Sequence, residues 1–320
     1  MERDADPDAP SARDRVRRAL DTHGGRGLPF AVARRALDAL EDRLNPSHVN
    51  HFGVGYSDLW RQPCDPVHAL HAVQFQTLVV ELPLAVLRWS RVGLRLDRSN
   101  PFVRTVAEHH DGTVTSYEHS ALQRHFATWQ PRSSAEVLGV DASSPSGQEP
   151  PGAVALPWSA EAGLDLAERL DRVDRFNRAE SRATGSELGV DAGHKHFGPV
   201  SDELGRLEYR RYTALTDAVA AHGYKAKVDE GYVGVQLLVD GRDRIGLITG
   251  PGLHRAVVAA GLGVDPLIVA VDKRPAMIHR TDVASWPGVR AGLFDEATAL
   301  AIFDRLMAGA APDGFPTPIG

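Results

Sequence analysis

Cysteine is almost absent: the 320-residue chain holds one, Cys64. A single thiol excludes an intramolecular disulfide framework and suits a reducing compartment. Long apolar runs are missing too. The stretch Leu78–Val92 is interrupted by Glu81, Pro83, Arg88 and Arg91, which excludes it as a membrane span. The first fifteen residues, MERDADPDAPSARDR, are acidic and polar and lack the apolar core of a secretory signal. These absences lead us to expect a cytoplasmic protein with no membrane partner. A surplus of positive charge is also lacking, with 36 Lys and Arg against 42 Asp and Glu and a formal net charge of −6. Specific DNA binding works through a concentrated basic face on the phosphates, so no specific DNA partner is expected. What is present is an ordinary globular composition, 42% hydrophobic and 24% charged, with length enough for two domains or one large one.

Residues 1–10 read as unstructured. Helical apolar spacing predicts helices over Ser11–Thr22 and Phe30–Leu44. Pro66–Ser90 reads as helical or mixed with a break at Pro83, Arg104–Tyr117 as a strand or hairpin turning at Asp111-Gly112, and His119–Trp129 as a short helix. Asp141–Pro151, DASSPSGQEPP, has the composition of a linker. It divides the chain into a mostly helical amino-terminal region, 1–150, that would shape or cover a substrate pocket, and a second region, 151–320. In the second region Ala160–Arg182 is an amphipathic helix offering Leu164, Leu166, Leu170, Val173 and Phe176 for burial. Further helices are expected over Asp202–Ala221, capped by Ser201, and over Phe294–Met307. Strands are expected at Val233–Val239 and Leu267–Val271.

The most informative stretch is Ile245–Leu262, IGLITGPGLHRAVVAAGL. It reads as a strand, a turn at Gly250-Pro251-Gly252, and a helix opening on His254 and Arg255. Glycines let the backbone approach a ligand, and the free amides of a helix N-terminus favour an anion. Arg255 adds a forked donor suited to phosphate oxygens. Gly250, Gly252, Leu253, His254 and Arg255 are therefore the candidate phosphate-binding set, although the spacing is not that of a P-loop.

A strand, a G-x-H-R turn, an Ala-rich helix, a Leu-Gly and a further strand resemble the ParB/sulfiredoxin-like domain, over roughly residues 197–280. The resemblance implies an α+β fold that binds a nucleotide. Leu253 stands where sulfiredoxins carry their catalytic cysteine, and thiol chemistry needs a thiolate there, so sulfiredoxin activity is not expected. ParB proteins follow this domain with a helix-turn-helix, whereas one long amphipathic helix follows Arg280 here. Kinase-like members carry a His where this chain has Leu253. In those members a Glu near the helix corresponding to 202–221 acts as general base, which implies Glu208 or Glu203 here, and spacing does not choose between them. First-turn carboxylates also complement the helix dipole.

Other candidates surround this turn. His194 and His196 lie on one face of an extended segment and form either half of a divalent-metal site or, with Lys195, a basic lip. A third metal ligand is not evident, so the metal stays open. Glu230 is a candidate for holding a metal-nucleotide or a substrate amine, and Arg290 for reaching a phosphate. The pairs His48/His51 and His68/His71 lie outside any H-E-x-x-H context and read as structural or substrate-lining. Tyr209, Tyr212 and Trp286 read as core or rim aromatics. The combined expectation is a small-molecule kinase using a nucleoside triphosphate (ATP or CTP) with Mg²⁺ on a hydroxylated substrate. The alternative is a non-catalytic nucleotide-binding switch of the ParB type without DNA binding. Fold alone does not choose between them, and the oligomeric state is not readable from the sequence.

Overall fold

The computed structural model describes residues 56–57, 77–228, 231–250, 252–271 and 275–316. The expected helices before Leu44, both H-x-x-H pairs, Cys64 and Glu230 lie outside the described residues. Ser57–Gly320 forms one compact unit, of class α+β. Among the described residues, no helix is long and apolar enough to cross a membrane.

The strands of the main sheet, numbered from Thr77 onward, are β1 (Thr77–Leu82), β2 (Leu87–Trp89), β3 (Leu94–Arg95), β6 (Val233–Asp240), β7 (Asp243–Ile248), β8 (Leu267–Val271) and β9 (Met277–His279). A separate hairpin joins β4 (Gly193–His194) to β5 (Phe197–Val200). In the main sheet the order is β1-β8-β6-β7-β2-β3, with β9 pairing to β6 beyond the end of β8. β6 and β7 form a hairpin, closing at Asp240 and Asp243. β7 then runs parallel to β2, with Trp89 opposite Ile248, so the carboxyl ends of these two strands lie side by side. Every residue of β6 from Val233 to Val239 is buried. A strand apolar on both alternating faces must be covered on both sides.

The helices are α1 (Pro101–His110), α2 (Ala121–Thr128), α3 (Ser134–Leu138), α4 (Leu166–Arg182), α5 (Asp202–His222), α6 (Leu253–Gly261), α7 (Pro287–Arg290) and α8 (Glu296–Ala308). α1, α5 and α6 pack on one another. Gly261 allows α6 to approach α1 closely, since a Cβ there would lie 2.4 Å from Val106 Cγ1. α8 brings Phe303 against Trp158 and Trp286.

Three expectations change. Residues 101–110 are helical, not extended. Asn100 Oδ1 accepts from Phe102 N at 3.0 Å, and Pro101 holds the first helical position. Phe102, Val103, Val106 and Ala107 then fill one buried stripe, and the Asp111-Gly112 turn ends the helix rather than joining two strands. Residues 141–151 do not separate two domains, because β1, β2 and β3 share a sheet with β6, β7 and β8. The segment itself is packed. Ser146 is buried, Ser134 N donates to Glu149 O, and the Glu149 carboxylate meets Arg169 of α4. Over its described part the 1–150 region holds α1, α2 and α3 together with β1, β2 and β3. Finally, the apolar stripe of α4 is not sunk in a core: Leu166 and Phe176 are 37% and 58% exposed. Polar ties hold this helix instead, through Arg169 and through Ser181 Oγ, which accepts from Leu188 N.

Phe102 is fully buried and touches Trp89, Phe126 and Tyr212. Phe102→Ala should cost about 3–5 kcal/mol in one cooperative transition, read from urea melts. Two separate transitions, with only one shifted, would contradict the single unit.

Candidate functional site

The side-by-side carboxyl ends of β2 and β7 are where ligand sites form in parallel arrangements, because the following turns open away from the sheet there. β7 ends at Ile248. After the turn through Thr249 and Gly250, α6 begins on Gly252, which sits in the left-handed region at φ 93°. Glycine is needed at this position, since a Cβ would also lie 3.0 Å from Val233 Cα. The N-cap residue of α6, Gly252, offers no capping side chain, and the amides of a helix's first turn have no partner within the helix.

α5 supplies the facing wall. Ser201 Oγ accepts from Leu204 N at 3.2 Å and starts the helix. Leu204, Leu207, Glu208 and Tyr212 then lie on its buried side. Glu208 Oε2 accepts from His254 Nε2 at 2.9 Å, across from the first turn of α6. Its other oxygen meets the Arg211 guanidinium. The Glu208 side chain is 1% exposed. Burial alone would raise its pKa, but the charge and hydrogen bond of His254, with Arg211 and Lys195 beside them, outweigh it and hold the carboxyl down to about 2. Tyr212 packs against the His254 ring at 4.8 Å. Burial, with Glu208 and Glu180 close by, keeps its phenol protonated.

The β4–β5 hairpin brings the third wall. Lys195 Nζ donates to Glu180 Oε2 at 2.7 Å and lies over the Phe176 ring. His194 stacks flat on Phe197 at 4.3 Å, and its Nδ1 accepts from His196 N. His125 Nε2 donates to His196 O at 2.8 Å. His196 Nδ1 lies 2.9 Å from the hydroxyl of Ser90, the residue after β2. Burial, with Arg91 and Lys195 nearby, lowers His194 to about 3. Burial together with the neighbouring His194, Lys195, Arg91 and His254 puts His196 well below its ordinary value. Burial lowers His125 to about 4. All three imidazoles are neutral near pH 7.

A cleft beside Glu208 is lined by Asn177, Glu180, Ser181, Lys195 and Arg211, among others. The space open to a water centre is about 10 Å³, room for about one water.

The sequence candidates therefore divide. Glu208, His254, His194 and His196 come together. Glu203 stands exposed on the first turn of α5 and makes no described contact with them. Gly250 and Gly252 shape the turn, and Leu253 packs on the core. Arg255 does not reach into an open cradle. It is buried, and its Nη1 donates to Ala226 O at 3.2 Å. Arg290 is exposed at the end of α7, and no described contact joins it to this cluster. Among the described residues, no group of three His, Cys, Asp or Glu could hold a metal ion. Sequence reasoning missed Ser90, Arg91, Arg211 and His125. For Glu208 a signal was available: Leu204, Glu208 and Tyr212 recur at i, i+4 and i+8, which puts Glu208 on the apolar side and Glu203 off it. Comparison with protein families, with curated proteins and with solved structures finds no match for the chain.

The histidines make stability acid-sensitive. A folded-state pKa below the unfolded value of about 6.5 means the unfolded chain binds more protons below that pH. Their contribution is complete above about 6.5 and falls as pH drops toward the folded values near 4 for His125 and 3 for His194. Melting temperature should be lower at pH 5 than at pH 7.5, with a smaller difference in His125→Phe. Equal pH dependence in the two proteins would contradict a buried neutral His125.

Proposed function

We propose that the chain is a nucleotide-dependent phosphotransferase acting on a small hydroxylated substrate, with ATP or CTP and Mg²⁺ as donor. The reading rests on the ParB/sulfiredoxin-like resemblance of residues 197–280. The observation that carries it is the contact between Glu208 and His254. An ionised carboxylate touches the first turn of a helix that starts on a glycine, so a proton acceptor lies at the positive end of a helix dipole. Phosphoryl transfer has a loose transition state and depends mainly on positioning and charge, so a weak base suffices. The substrate hydroxyl would give its proton to Glu208 while its oxygen attacks the γ-phosphorus and the nucleoside diphosphate departs. The α6 amides and His254 would hold phosphate oxygens, and Lys195 and Arg211 line the cleft through their ion pairs with Glu180 and Glu208. Mg²⁺ would come as a companion of the nucleotide: it is commonly held by one or two carboxylates together with phosphates, and Glu180 is a carboxylate lining the cleft beside Glu208. Bound Mg²⁺ would neutralise phosphate charge.

A nucleotide switch without turnover is the second reading. It is favoured by the full engagement of Glu208 with His254 and Arg211 and by a cleft with room for about one water.

Calorimetry with ATP, CTP, GTP and ADP in Mg²⁺, followed by a product assay over small hydroxylated compounds, separates the readings. Glu208→Gln, checked as folded by its melting curve, should lower turnover by about 100-fold or more while leaving nucleotide Kd nearly unchanged. Nucleotide binding without turnover in the unmodified protein would select the switch. Absence of nucleotide binding would remove both.

A further inference from the structure

The cluster holds a hydroxyl that Glu208 chemistry leaves unused. Among the described residues, Ser90 is the one non-glycine residue with positive φ, at 62°. An L residue held in the left-handed region is strained, and such strain concentrates at functional positions. Ser90 N donates to Ile248 O at 2.9 Å, which fixes the residue beside the turn leading into α6. Its hydroxyl lies 2.9 Å from His196 Nδ1. The His196 ring is held on two sides, edge-on to Trp89 at 4.7 Å and to His194 at 5.0 Å. Its backbone is fixed by His125 at the carbonyl and by His194 Nδ1 at the amide. A neutral imidazole has one nitrogen that accepts. With Nδ1 accepting, the Ser90 hydroxyl is the donor. A hydroxyl bonded to an oriented imidazole is the arrangement of an activated nucleophile.

We propose that Ser90 is a nucleophile toward phosphorus, with His196 as its base. The Oγ–P bond forms as the bond from phosphorus to the leaving group breaks. The hydroxyl proton passes to His196 Nδ1, and the leaving group departs with the electron pair. For the donor's identity the proposal rests on the phosphotransferase reading: the γ-phosphoryl of a nucleoside triphosphate would give phosphoserine and nucleoside diphosphate. In the second step the substrate oxygen attacks that phosphorus, its own proton goes to Glu208, and His196 returns its proton to the departing Ser90 Oγ. Arg91, bonded to Val154 O and paired with Glu161, and Lys195, bonded to Glu180, lie close enough to act on His196 electrostatically and add positive charge around the phosphoryl oxygens. Ser90 is 1% exposed, so phosphorus must reach Oγ through a local opening that leaves the Ser90–His196 contact in place.

The test treats the full chain with diisopropyl fluorophosphate and maps adducts by mass spectrometry. One adduct on Ser90 is expected. It should be absent in Ser90→Gly, a substitution suited to the left-handed backbone, and should form about 100-fold more slowly in His196→Gln. No adduct at Ser90, or an unchanged rate in a folded His196→Gln, overturns the proposal. A second arm incubates the chain with Mg²⁺ and ATP or CTP. Phosphate on Ser90 supports the nucleophile and the donor together. A fluorophosphate adduct without nucleotide-derived phosphate keeps the nucleophile and rejects the nucleotide as donor.

Discussion

The site depends on one buried negative charge. Glu208 stays ionised at 1% exposure because His254 and Arg211 approach its two oxygens. Removing a charge from water costs several kcal/mol unless partners compensate, so the carboxylate and its partners must be positioned together. His254 comes from α6 and Arg211 from the next turn of α5. The pair therefore fixes the start of α6 against the middle of α5, and with it the turn through Gly250 and Gly252. Lys195 extends the network to Glu180 of α4, and Arg211 reaches the Glu180 carbonyl at 3.0 Å. A helix with an exposed apolar face is thereby tied to the centre by charge.

The same constraint explains the neutral histidines. Cations already surround Glu208, and a further buried positive charge on His194 or His196 would be repelled by Lys195 and Arg91. Neutral rings instead share hydrogen bonds, His194 accepting from the His196 amide and His196 paired with the Ser90 hydroxyl. The cluster thus combines fixed charge at Glu208 with uncharged imidazoles at the hairpin.

The legible parts of the chain were those with local signals. Ser201 and the apolar stripe behind it mark α5, the hairpin of β6 and β7 shows at Asp240-Gly241, and β8 shows as LIVAV. The left-handed start of α6 at Gly252 was legible from its glycine. Pairing was not. Nothing local in Leu87-Arg88-Trp89 says that it lies parallel to β7, so Ser90 could not be placed beside Ile248 from sequence. The helix at 101–110 was missed because Arg104 to Tyr117 was read without the Asn100-Pro101 start. The direction of Arg255 was also hidden. Being next to His254 in sequence puts it about 100° around the helix, on the side facing Ala226. Residues 141–151 show that Pro, Ser and Gly content marks irregular backbone, not necessarily a domain boundary.

The central claim, that Glu208 and His254 act as one interaction joining α5 to α6, is tested most directly by a double-mutant cycle. Unfolding free energies of Glu208→Gln, His254→Gln and the double variant would be measured at pH 7. The account predicts a coupling of about 1 kcal/mol or more, within the range for residues sharing one charged network. Additivity within about 0.3–0.5 kcal/mol would contradict it.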